Sequence, residues 1–205
     1  LEGAAFWVAD GGASGLDTRV TMHGDLAGAP VGAVKCAVRE DCNRLRGNLA
    51  LDAIGNPGSG VAVAVAATAP GMPSGSAHVR FEGTRIDDSS GSSLVSQVAA
   101  DGHIRFDGAL IVDNDLNGFL AISTAPTSSL EVVATTIAGN TLGNGSTVLF
   151  GPLGCSVDSE ARGMRVERSI VWQPGHGWLA ALGSAPQTDC YRHLVGNQFD
   201  GLPDS

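Results

Sequence analysis

Aromatic side chains are scarce in this 205-residue chain, which has six Phe, three Trp and one Tyr, so close packing falls mainly to small and aliphatic residues. Charge is sparse as well, at 16% of residues, and weighted to one sign: 12 basic residues against 21 acidic ones give a net charge of -9. That balance argues against a general affinity for nucleic acid or anionic lipid, while leaving room for a local basic patch. No apolar run approaches the 18 or so residues that a membrane-spanning helix needs; Val61 to Ala69, nine residues of Val, Ala and Thr, reads as a buried strand. No basic segment followed by an apolar one stands at the N-terminus, so the expectation is that any secretory signal has been removed or lies outside these residues. Only four cysteines occur, with neither a C-x2-C spacing nor a paired histidine beside them, which argues against a zinc site. No G-x-S-x-G motif is present, and none of the 29 glycines opens a helix to cradle a phosphate.

What is present is repetition. Six apolar-x-apolar pairs recur: Val20 and Met22, Leu49 and Leu51, Val79 and Phe81, Ile104 and Phe106, Leu130 and Val132, and Met164 and Val166. Their steps of 29, 30, 25, 26 and 34 residues are those of a repeated supersecondary unit. The clearest copies, His78-Val-Arg-Phe-Glu-Gly-Thr-Arg-Ile86 and His103-Ile-Arg-Phe-Asp-Gly-Ala-Leu-Ile111, alternate apolar and polar residues as a half-buried strand does. A second apolar position then leads into a turn, at Ile54-Gly-Asn56, Ile86-Asp-Asp88, Ile111-Val-Asp-Asn114 and Ile137-Ala-Gly-Asn140. Asn and Asp tolerate left-handed backbone there. Further short apolar runs follow at Val61 to Ala66, Leu94 to Val98, Phe119 to Ile122, Val148 to Phe150 and Leu179 to Leu182. Several strands per repeat, joined by one compact turn and one variable loop, predict parallel sheets along a stacked array.

On these features the chain resembles the right-handed parallel β-helix proteins, the superfamily of pectate lyases, pectin-degrading hydrolases, tailspikes and bacterial surface passengers. The resemblance covers about residues 18–183, and Thr135-Thr-Ile-Ala-Gly-Asn140 and Arg168-Ser-Ile-Val-Trp172 look like secreted bacterial members of uncertain function. It implies an all-β solenoid of about six coils forming one domain over 1–205, on its own or within a longer chain. Residues 18–183 would form the coils, 1–17 an N-terminal coil or cap, and 184–205 a C-terminal cap. An antiparallel sandwich is the competing fold, and the aligned repeats weigh against it. The cysteines admit three pairings; their clustering favours Cys36 with Cys42 and Cys155 with Cys190, and disulfides would imply an oxidising, extracellular or cell-surface setting.

If the six pairs stack in register, the intervening residues form three outward columns. These are Arg19, Asn48, His78, His103, Ser129 and Gly163; then Thr21, Ala50, Arg80, Arg105, Glu131 and Arg165; then His23, Asp52, Glu82, Asp107, Val133 and Glu167. His78, Arg80, Glu82, His103, Arg105 and Asp107 are the catalytic candidates, because a base, a guanidinium for a uronate carboxylate and paired carboxylates suit polysaccharide chemistry. Neighbouring charges that merely neutralise one another are the plainer reading. Arg80, Arg105 and Trp172 are the candidate ligand-binding residues, with Trp172 and Trp178 alternatively capping the stack. Asp113, Asp115 and Asn117 begin a calcium-loop pattern that lacks its acid at the twelfth position, where Thr124 stands, so calcium is the one cofactor considered and a polar turn the plainer explanation. Asp87-Asp88 and Gly175-His-Gly177 echo pectin hydrolases but stand about three coils apart, and read as turn residues.

The expected function is binding to, or display against, a polysaccharide or cell-surface glycan, with no nucleic acid and no membrane span. A calcium-dependent lyase or glycoside hydrolase is the alternative, and a structural adhesin segment the second.

Overall fold

The computed structural model describes residues 6–9, 17–23, 43–49, 54, 63–66, 76–97, 102–117, 121–123, 129–143, 163–173, 192–196 and 198–200. Among them every regular element is a β-strand and every pairing is parallel. After β1 (Phe6–Ala9), the strands fall into repeats. The first holds β2 (Asp17–His23), β3 (Asn43–Arg46) and β4 (Val63–Ala66). The second holds β5 (Ser76–Glu82), β6 (Thr84–Asp87), β7 (Ser90–Gly91) and β8 (Val95–Gln97). The third holds β9 (Gly102–Asp107), β10 (Leu110–Val112), β11 (Asp115–Leu116) and β12 (Ala121–Ser123). The fourth holds β13 (Ser129–Val133), β14 (Thr136–Ala138) and β15 (Thr141–Leu142). Two pairs follow, β16 (Gly163–Glu167) with β17 (Ile170–Trp172), and β18 (Arg192–Val195) with β19 (Gln198–Asp200).

Successive repeats visit the sheets in a constant order, and among the described residues the second and third repeats supply a strand to all four. Sheet I runs β18-β16-β13-β9-β5-β2, sheet II runs β19-β17-β14-β10-β6-β3, sheet III runs β15-β11-β7, and sheet IV runs β1-β4-β8-β12. Leu49 makes a parallel bridge to Ser90, beside β7. β4, β8 and β12 lie on three of the five further apolar runs; the runs at 148–150 and 179–182 lie outside the described residues. Within 184–205, the stretch read as a C-terminal cap, β18 and β19 pair on the outer edges of sheets I and II.

One expected stacking partner is wrong. Val20 and Met22 pair directly with Val79 and Phe81, a step of 59 residues, and Leu49 takes no part in sheet I. Leu49 is 59% exposed. The pair Leu49 and Leu51 stands near the midpoint of that long step and so imitates a repeat, whereas the chain spends those residues on sheets II, III and IV. Asn48 therefore leaves the outward columns, and Ala50 and Asp52 lie outside the described residues. Most of the extra length falls between β2 and β3, since sheet II steps only 41 residues from Leu45 to Ile86.

Alternation fixes the inside. Val79, Phe81, Ile104, Phe106, Leu130, Val132 and Val166 in sheet I are buried, as are Leu45, Ile86, Ile111, Ile137 and Val171 in sheet II. Phe81 and Phe106 stack with centroids 5.3 Å apart, one above the other on adjacent strands. Full burial of each such side chain contributes about 1.5–3 kcal/mol.

Two columns of left-handed residues turn the chain between sheets. Gly83, Gly108, Ala134, Arg168 and Gly196 lie between sheets I and II, and Gly47, Asp88, Asp113 and Gly139 between sheets II and III, all with φ between 47° and 67°. Behind the second column runs a buried amide ladder. Asn114 accepts from the Ser89 N–H at 3.1 Å and donates to Asn140 Oδ1 at 2.8 Å. Asn140 in turn donates to Gln173 Oε1 at 3.2 Å, and Gln173 donates to the Asn140 carbonyl at 2.7 Å. Behind the first column the Thr135 hydroxyl accepts from the Ala109 N–H, and the Ser169 hydroxyl from the Thr135 N–H. Side chains thus satisfy buried backbone groups that the turns remove from the strand ladders.

Candidate functional site

Register assembles the outward face of sheet I. β5 and β9 pair His78 with His103, Arg80 with Arg105, and Glu82 with Asp107; β13 adds Glu131, while Ser129 and Val133 in the same columns are buried, and β16 adds Gly163, Arg165 and Glu167. All six catalytic candidates thus lie together on two neighbouring strands. The His78 and His103 rings stack at 4.5 Å with 16° between their planes, and His103 Nδ1 lies 2.6 Å from Ser129 Oγ.

The charges on this face consume one another. Arg80 reaches Glu82 on its own strand at 2.5 Å and Asp107 on the next at 3.0 Å. Arg105 repeats the pattern with Asp107 at 2.8 Å and Glu131 at 2.5 Å, and Arg165 holds Glu167 at 2.7 Å. Partial burial works against the charge of Arg105, but its hydrogen bond with Asp107, that carboxylate's charge and the matching contributions of Glu131 outweigh this, so its pKa is raised. A uronate offered to Arg80 or Arg105 competes with carboxylates already in place on the same sheet. Each exposed pair contributes between nothing and about 1 kcal/mol.

A second charged cluster escapes a search for apolar pairs. On the outer side of sheet II, β3 lays Arg44 beside Arg85 and Arg46 beside Asp87. Asp87 is 2% exposed; it accepts from Arg44, with Nε at 2.8 Å from Oδ1, and from Arg85 Nε at 2.9 Å. Burial pushes its carboxyl upward, but the hydrogen bonds from Arg44 and Arg85, with their charges, prevail and hold it below the ordinary aspartate range. The hydrogen bond to Asp87 likewise raises Arg44. Asp87 is therefore a strand residue, correcting its reading as a turn residue, while Asp88 occupies the left-handed turn and pairs with Arg46 at 2.5 Å. The signal that finds this cluster is the alignment of Arg44-Leu-Arg46 on Arg85-Ile-Asp87.

Farther along sheet II the outer face turns apolar. One column reads Arg44, Arg85, Leu110, Thr136, Ile170 and Gln198, the other Arg46, Asp87, Val112, Ala138, Trp172 and Asp200. Ile170 and Trp172 are 44% and 51% exposed, so Trp172 presents its ring to solvent beside the small Ala138.

Asp113, Asp115 and Asn117 share the exposed side of their segment, while Asn114 and Leu116 between them are buried. Asp113 sits in a left-handed turn 4.0 Å from Arg85. Among the described residues no group of three or more His, Cys, Asp or Glu side chains converges as a metal site would require. Cys36, Cys42, Cys155, Cys190, Trp178 and Gly175-His-Gly177 lie outside the described residues. No described helix is long and apolar enough to cross a membrane. No family model matches the chain, and neither curated proteins nor solved structures yield a match.

Proposed function

We propose that this chain is a right-handed parallel β-helix, secreted or held at a cell surface, that binds carbohydrate on the outer face of sheet II. The constant order in which successive repeats visit the parallel sheets supports the β-helix. The observation that carries the function is the half-exposed indole of Trp172, set beside exposed Ile170 and flanked in register by the small Ala138. A flat aromatic surface next to a small residue suits the apolar face of a sugar ring, and indole is the most favourable such platform. The opposing consideration applies to sheet I, whose guanidinium groups are engaged by neighbouring carboxylates. Glycan-array binding followed by titration of intrinsic fluorescence tests the reading. Trp172→Ala removes binding, whereas Arg80→Ala with Arg105→Ala leaves it within about twofold; the reverse pattern moves the site to sheet I and refutes the assignment.

A further inference from the structure

The turn column between sheets I and II reads Gly83, Gly108, Ala134, Arg168 and Gly196, and every member has positive φ. Four of the five carry no side chain beyond Cβ. The fifth carries the longest cation available, at φ 48°, a conformation that side-chain-bearing residues adopt only at a cost. Its neighbours in the column, Ala134 and Gly196, offer it neither a charge nor a hydrogen bond.

Arg168 is also distinguished by what it does not touch. Arg44, Arg46, Arg80, Arg85, Arg105 and Arg165 each form an ion pair with at least one carboxylate. Among the described arginines with placed side chains, Arg168 alone has no such pair, and it is exposed. It belongs, moreover, to the segment that bears the exposed aromatic. Arg168, Ile170 and Trp172 are exposed while Ser169, Val171 and Gln173 are buried, so three exposed residues fall within one short run of chain, Arg168 in the turn and the other two on sheet II. At about 3.3 Å per residue, Arg168 and Trp172 are separated by at most about 13 Å, within reach of one short oligosaccharide.

We infer that Arg168 is the anion-reading residue of the sheet II site, and that the ligand is a glycan bearing a carboxylate or sulfate next to a ring that stacks on Trp172. This inference rests on the carbohydrate-binding reading and assigns the ligand's chemical class. An unengaged guanidinium offers bidentate donors to either anion, which a paired one does not. The net charge of -9 narrows the class further, because a densely charged polyanion is repelled by the rest of the surface. An otherwise neutral chain with isolated acidic groups meets both conditions.

Calorimetric titration of the whole protein tests this with four probes: a neutral β-glucan oligosaccharide, the same oligosaccharide bearing one glucuronate, its monosulfated form, and polygalacturonate. The informative variant is Arg168→Gly, because glycine suits the positive φ and the variant is expected to fold at least as well as the parent. The expected result is that the parent prefers an acidic probe to the neutral one by about tenfold to a hundredfold, the range for a charge-assisted hydrogen bond. Arg168→Gly removes that preference while keeping the neutral affinity, and Arg168→Lys retains part of it. The carboxylated and sulfated arms decide which anion is read. Equal acidic preference in parent and Arg168→Gly overturns the inference and leaves the carbohydrate reading standing, as does tightest binding to polygalacturonate. Failure of the parent to bind any probe overturns both.

Discussion

Truncating Asn114 and truncating Asn48 should have opposite consequences, although both are asparagines in the same turn position, two repeats apart. Asn114 Oδ1 accepts from the buried Ser89 N–H, and its Nδ2 donates to the Ile86 carbonyl at 3.1 Å and to Asn140 Oδ1 at 2.8 Å. Asn114→Ala removes two hydrogen bonds donated by Nδ2, each worth about 1 kcal/mol net, and leaves the buried Ser89 N–H without its partner at a cost of about 1–3 kcal/mol. The sum is about 3–5 kcal/mol, a large part of the 5–15 kcal/mol typical of a whole domain. Asn48 differs because Ser89, next in the column, has too short a side chain to continue the ladder and turns its hydroxyl to the Asp87 carbonyl. The buried Asn48 Nδ2 consequently has no hydrogen-bond partner. Asn48→Ala should therefore leave stability unchanged or raise it by up to about 1 kcal/mol. The assay is guanidinium unfolding followed by circular dichroism, comparing midpoints at equal slope, because repeat arrays do not always unfold in one step. Equal losses in the two variants would refute the ladder as the source of stability.

Three further outcomes are expected. Ala134→Gly relieves a side chain held at φ 47° and should gain about 0.5–1 kcal/mol after the greater entropy of unfolded glycine is deducted, read from the unfolding midpoint. Phe106→Ala empties half of the Phe81–Phe106 stack and should cost about 3–5 kcal/mol in the same assay. The Asp87 carboxyl has its folded pKa below the ordinary value of 3.8, so its contribution to stability is complete above that pH and is lost as pH falls through the depressed folded value. Acid unfolding of Asp87→Asn should accordingly lose that part of its pH dependence, and an unaltered profile would discount the Arg44–Asp87–Arg85 cluster.

The strands of the middle repeats could be read from the sequence because each carries its own register marks. Val79-Arg-Phe81 and Ile104-Arg-Phe106 align without gaps, and Asp88 and Asp113 announce the left-handed turns that the backbone adopts. The first repeat could not be read in this way. An apolar-x-apolar pair says that a strand has an inner side but not which strand lies next to it, so Leu49 and Leu51 filled a place that the 59-residue step from Val20 to Val79 left open. The candidate site divides similarly. The columns through His78, Arg80 and Glu82 follow from periodicity, yet their mutual neutralisation is a matter of side-chain reach, which periodicity does not encode. Nothing in the sequence set Arg168 apart; the turn column did so by aligning it with three glycines and an alanine.

In the second, third and fourth repeats the stretch from the end of the sheet I strand to the start of the sheet III strand has one length: Glu82 to Ser90, Asp107 to Asp115 and Val133 to Thr141 each span eight residues. The full steps between repeats nevertheless vary, with Val79 to Ile104 taking 25 residues and Leu130 to Met164 taking 34. Where both are described, the fixed part is the one whose turns and polar ladders must match the repeat above and below. In these three repeats length change is thereby confined to the return path, whereas the first repeat takes most of its extra length between β2 and β3; the middle of the molecule is a modular chassis. A repeat cut within its return path and copied in tandem carries its own complete docking edge. Recombination can lengthen such an array without redesigning any contact, provided that the copied repeat keeps the eight-residue stretch of the middle ones.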